Sequence, residues 1–125
     1  MISALFAQTN YVAAKKLLDA TVLRQEAIAS NLANLETPNY RRIDLAASFQ
    51  TQFQQALGTQ NTAQIHGLKP RLEADATAVA STRDGNTVNL ESELGHLQRN
   101  LVEHALESQL ITGNLLRLRL AITGR

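Results

Sequence analysis

From Leu90 onward the chain places residues at alternating steps of four and three: Leu90, Leu94, Leu97, Leu101, His104, Ser108, Ile111, Leu115, Leu118 and Ile122. Positions three and four apart share one side of a helix and of nothing else. All but His104 and Ser108 are large and apolar, so the spacing predicts one long helix, with Asn89 as its N-cap, ending near Ile122. Glu91 and Glu93 put negative charge on its first turn, and Arg117 and Arg119 positive charge near its end, both with the favourable dipole sign. Val102, Leu106, Leu110 and Leu116 widen the apolar face beyond one seam. Gly95 and Gly113 each cost about 1 kcal/mol inside a helix, consistent with close approach of a neighbour.

A second helix is expected over about Tyr11–Leu35, capped by Asn10, with residues 1–9 weakly patterned and frayed. Its seam reads Ala14, Leu18, Thr21, Gln25, Ile28, Leu32 and Leu35, widened by Leu17, Val22 and Leu23. Between the two helices the material changes. Leu45, Phe49, Phe53 and Leu57 predict a short amphipathic helix over 44–57, ended by Gly58. Residues 58–87 are polar and aperiodic, apart from a weak strand alternation through Leu72, Ala74, Ala76, Ala78 and Ala80, and residues 59–82 are expected to tolerate change. The expected fold is all-α: two long terminal helices in a coiled-coil-like pair, with a polar, largely irregular middle. Residues 1–43 and 88–125 then form one unit, with 44–87 as an insert.

Ordering about 33 residues of helix costs on the order of 1–2 kcal/mol each in backbone entropy. Burial must offset much of that, at about 1.5–3 kcal/mol per large apolar side chain. Both helices are apolar over faces too wide for a single pair. Contacts between protomers are therefore expected.

Composition narrows the function. Aromatics make up only 4% and Trp is absent, so Leu and Ala carry the apolar content and favour helices. The net charge of +1 is dispersed, without the basic stripe that nucleic-acid binding needs; Arg41-Arg42 alone is too little. There is no Cys, which excludes disulfides and thiolate metal sites. Met1–Gln8 lacks the basic region and apolar length of a signal peptide, and no run approaches the ~20 apolar residues that span a bilayer. On composition alone the expectation is a soluble cytoplasmic chain.

Glu93-x-x-His96 and His104-x-x-Glu107 invite a metal reading, since Glu-x-x-His occurs in bundle-core di-iron sites. Such a site needs a second Glu-x-x-His and carboxylates from four helices. A polar marker of helix register is the better reading. No catalytic, cofactor-binding or metal residue is expected, and no phosphate loop occurs.

The stretch ending the first helix is the most informative. Pro38 disfavours helical geometry at Thr37, and Asn34, Thr37 and Asn39 can each bond nearby backbone groups. Asn31, Leu32, Ala33, Asn34, Thr37, Pro38, Tyr40 and Arg41, in that order and spacing, resemble the signature of the bacterial flagellar axial proteins, which build the rod, hook and hook–filament junction. Asn39 stands where that family usually has Gly, and Asn is the next-best residue for a left-handed conformation. Asp84-Gly85-Asn86-x-Val88-x-Leu90-Glu91-x-Glu93 is similar to the stretch opening the C-terminal helix in the short proximal-rod members. One departure is Glu103-His104, where Arg-Tyr is common.

The resemblance implies a structural subunit without catalysis or cofactor. It implies export by the flagellar apparatus without a cleaved signal and assembly in the periplasm, which overrides the cytoplasmic expectation. Its partners would be other rod subunits, further copies of itself and the ring at the rod base, with no nucleic acid or small-molecule substrate. Leu18, Ile28 and Leu35 with Leu90, Leu94, Leu97, Leu101, Ile111, Leu115, Leu118 and Ile122 would be the packing seam. The competing reading is a small cytoplasmic helical adaptor or chaperone that grips partner helices, and a third is a metal-binding helical bundle.

Overall fold

The computed structural model describes residues 2–80 and 82–124, with side chains from Thr9 onward except that of Leu118. The order is α1 (Ile2–Ala33), β1 (Ile43–Leu45), α2 (Ala47–Gly58), α3 (Thr62–Gly67), β2 (Leu72–Ala74) and α4 (Leu90–Thr123). Both long helices are present, α4 with Asn89 as N-cap accepting from Ser92 N. α1 starts earlier than expected. Asn10 lies inside it and is exposed, because Ala4, Leu5, Ala7 and Gln8 are good helix formers that outweigh a single cap residue. α1 closes at Ala33, where Asn34 N is shared between the carbonyls of Ser30 and Asn31 at 3.1 and 3.2 Å.

The middle is not largely irregular. β1 and β2 pair antiparallel, Ile43 opposite Ala74, Asp44 opposite Glu73 and Leu45 opposite Leu72. This pairing delays the helix expected from residue 44 until Ala47. The strand expected through residue 80 stops at Ala74, because the Asp75 carboxylate accepts from the backbone and hydroxyl of Thr77 and turns the chain. α3 is held by Asn61, whose side chain accepts from Gln64 N. Ile65 on α3 is fully buried, so residues 59–82 are not uniformly tolerant.

α1 has two buried faces. Ala13 and Ala20 pack in one apolar cluster with Phe49, Phe53 and Ala56 of α2 and Ile65 of α3, the Phe rings stacking at 5.9 Å. On its other side α4 runs antiparallel, with Asn31 beside Glu93, Gln25 beside Asn100 and Thr21 beside His104.

This second contact is not the expected coiled-coil-like apolar pair. The α4 residues buried by it are Glu93, Asn100 and Glu107. Leu90, Leu94, Leu101, Leu115 and Ile122 are exposed, Leu97 and Ile111 half-buried, and the side chain of Leu118 lies outside the described residues. At 100° per residue, the polar stripe and the leucine seam share Leu97, His104 and Ile111 but are centred about 60° apart. On α1, Ile28 is buried and Leu18 and Leu32 are half-buried, as is Leu35 in the turn that follows. Gly95 and Gly113 meet open space, so no neighbour among the described residues explains them. Among the described residues no helix is long and apolar enough to cross a membrane.

Candidate functional site

The two motifs, more than forty residues apart in sequence, interlock. Asn31 is fully buried and uses every polar atom. Its Oδ1 accepts from Ile43 N at 3.0 Å and from the Tyr40 hydroxyl at 3.2 Å. Its Nδ2 donates to Ile43 O at 2.9 Å and Glu93 Oε2 at 3.3 Å. Only a side-chain amide offers donors and an acceptor in this arrangement. Asn34 folds back on the helix end, donating to Ser30 O at 2.8 Å and accepting from the Thr37 hydroxyl at 3.0 Å. Tyr40 also shares a hydrogen bond with the Ser30 hydroxyl, 2.9 Å away. Of the remaining motif residues, Leu32 is half-buried and Ala33, Pro38 and Arg41 are exposed.

Asn86 closes the junction from the other side. Its Nδ2 lies within 3.0 Å of the carbonyls of Asn34, Leu35 and Thr37 and donates to all of them, while its Oδ1 accepts from Val88 N. These carbonyls belong to the turn that follows α1, where Asn34 O and Thr37 O also accept from Thr37 N and Tyr40 N. Asn39 N donates to Asp84 O, Thr87 N to Tyr40 O, and Arg42 N to the Thr87 hydroxyl. The two turns touch where Asn39 and Gly85 both adopt positive φ, 59° and 77°. A Cβ on Gly85 would sit 2.5 Å from Asn39 Oδ1. Gly85→Ala is therefore expected to destabilise by at least the ~1–2 kcal/mol of a left-handed non-glycine residue, read as a lowered denaturation midpoint.

Arg42 holds the charged part of the junction. Its Nε donates to fully buried Glu93, and one terminal nitrogen reaches Asp44 at 3.0 Å and Asp75 at 2.8 Å. Burial works to lower the Arg42 pKa, but hydrogen bonds to Glu93 and Asp44 outweigh it and the net direction is up. Asp75 is held below the usual carboxylate range, first by the Thr77 hydroxyl, against a burial effect, and then by Thr77 N and Arg42. Arg24 extends the network, 3.5 Å from both Asp44 and Glu103. Sequence reasoning placed Asn86 in the second motif and Arg42 only in the Arg41-Arg42 pair, and missed Asp44 and Asp75 as parts of this junction. Of the histidines, His104 Nδ1 lies 3.2 Å from the Thr21 hydroxyl and His96 is half-buried. Among the described residues no group of His, Asp and Glu gathers to hold a metal ion.

The junction is built for position: the side chains of Asn31, Asn34, Tyr40, Arg42 and Asn86 each bond another part of the same chain. Comparison with known proteins agrees. The family described as "Flagella basal body rod protein" matches residues 18–41, from mid-α1 through Arg41. The flagellar basal body rod protein FlgB of Aeromonas hydrophila is 29% identical over 112 residues, covering 81% of this chain and 83% of its own. Over most of its length this chain is similar to FlgB, a flagellar basal-body rod protein. FlgB of Borrelia hermsii is 29% identical over 111 residues, covering 74% of this chain and 80% of its own, and FlgB of Aquifex aeolicus strain VF5 28% over 113, covering 89% and 90%. All three relatives carry the same description, flagellar basal body rod protein.

Proposed function

We propose that this FlgB-like chain is a subunit of the proximal rod. In this reading it assembles in the periplasm through its terminal helices, with other rod subunits, with copies of itself and with the ring at the rod base. Residues 1–43 and 88–125 act as one unit, and 44–87 lies outside the helical contact.

The observation that carries the reading is the apolar surface that α4 turns away from its own chain. Leu101 is 54% exposed, Leu115 49%, Leu116 52% and Ile122 75%. A monomer gains nothing from these side chains, whereas each buried between subunits contributes about 1.5–3 kcal/mol. The junction supports the same reading, because it fixes where α4 leaves the fold and in which direction.

The test is motility. In cells whose only copy carries Leu101→Glu and Leu115→Glu, both exposed positions, the protein is expected to fold but motility to be lost. Motility at the normal level would overturn the reading.

A further inference from the structure

The contact between α1 and α4 changes character along its length. At one end α4 is pinned: Asn86 bonds the end of α1, and Glu93 bonds Arg42 and Asn31. From Asn100 onward the pairing is incomplete. Asn100 Nδ2 donates to Thr21 O at 2.9 Å and Gln25 Oε1 at 3.1 Å, but its Oδ1 is buried without a partner. Glu107 is 9% exposed, and its Oε2 also lacks a partner. The hydroxyl beside Glu107 is that of Thr21, which donates to Leu18 O at 2.8 Å and lies 3.2 Å from His104 Nδ1. A hydroxyl has one proton, so whatever it gives the Glu107 carboxylate it must share with the Leu18 carbonyl.

We propose that α4 is a hinged arm, fixed at residues 86–93 and loosened from α1 beyond Asn100 when Glu107 ionises. As a neutral acid, Glu107 carries its own donor, which the Thr21 oxygen accepts, and the contact closes. As a carboxylate it leaves a charge without enough donors between two helices, and separation rehydrates it. The charged and titratable groups facing it are Glu103 and His104 on α4 and Arg24 on α1, with Asp44 of β1 behind Arg24. Burial pushes the Glu107 carboxyl up from its usual value of 4.5, against the Thr21 hydrogen bond, and Glu103 adds to the rise while Arg24 opposes it. A carboxyl raised by folding contributes stability below its unfolded value, and that contribution is lost as pH rises through the folded value. The arm is therefore closed in acid and looser at neutral pH. This inference does not rest on the rod reading, since it concerns the chain alone.

The test is amide hydrogen exchange along α4 of the full chain, corrected for intrinsic rates, near neutral and at mildly acid pH. Residues 103–120 are expected to exchange roughly tenfold faster than 93–97 near neutral pH, and Glu107→Gln to remove most of that difference. The same variant should raise Tm by about 3 °C near neutral pH, an effect that fades in acid. Glu107→Leu, which removes the charge without supplying a donor, should act in the same direction. Even protection along α4 in the unsubstituted chain, or either variant leaving exchange unchanged or faster, would overturn the proposal.

Discussion

Arg42→Ala is expected to destabilise the chain by about 3–5 kcal/mol, the cost of leaving a buried charge without its partner. Glu93 is fully buried and would keep only the Asn31 amide, at 3.3 Å. Asp44 and Asp75, with side chains 29% and 21% exposed, can turn to water; Glu93 cannot. A small domain has only about 5–15 kcal/mol in total, so the variant should be substantially unfolded in mild denaturant. Arg42→Lys should recover only part of the loss, since one ammonium does not reproduce a planar fork that meets three carboxylates. Equilibrium denaturation measures both. A cost below about 1 kcal/mol for Arg42→Ala would place it with exposed ion pairs and contradict the buried junction.

The second large effect is expected at Asn86, which is 1% exposed. Asn86→Ala removes the donor shared by the carbonyls of Asn34, Leu35 and Thr37 and the acceptor for Val88 N. Asn34 O and Thr37 O keep the backbone donors Thr37 N and Tyr40 N, so the loss falls mainly on Leu35 O and Val88 N. At about 1–3 kcal/mol for each group left without a partner, a total of about 2–4 kcal/mol follows. Asn86→Asp should be worse than Asn86→Ala, because a carboxylate keeps the acceptor but turns negative charge toward carbonyl oxygens. Equal stability of the two variants would mean that Nδ2 is not the group that matters. Exchange of the amides near residues 34–40 should rise in both.

Both variants probe contacts that no local pattern announces. The long helices were legible because a 3.6-residue period is a local property, set by neighbours three and four apart. The face that α4 turns to α1 was not. Two stripes share Leu97, His104 and Ile111, and the leucines of one are more conspicuous than Glu93, Asn100 and Glu107 of the other. Whether a helix presents its apolar or polar stripe to a given neighbour depends on the partner, and Thr21, Gln25 and Asn31 on α1 are polar. In hindsight Thr21 and Gln25, which interrupt the α1 seam, were the available signal.

The strands were only partly legible, an alternation from Leu72 being visible and β1 not at all, for a different reason. Three residues each are too few for a period of two to register, and the register of Ile43 with Ala74 joins segments about thirty residues apart. Arg42 was overlooked beside Arg41 because adjacent residues in extended backbone point to opposite sides; the resemblance drew attention to the exposed one. The motifs themselves were recognised one at a time. That Asn39 meets Gly85, and Asn31 meets Glu93, required the fold.

The central claim is that the apolar surface of α4 exists to be covered by other subunits. Sedimentation velocity over a wide concentration range tests it most directly, on the unsubstituted chain and on the Leu101→Glu, Leu115→Glu variant, with helicity followed by circular dichroism. The unsubstituted chain is expected to associate as concentration rises, while the variant stays monomeric with similar helicity in dilute solution. A chain that remains a monomer at every concentration, with α4 fully helical, would contradict the claim.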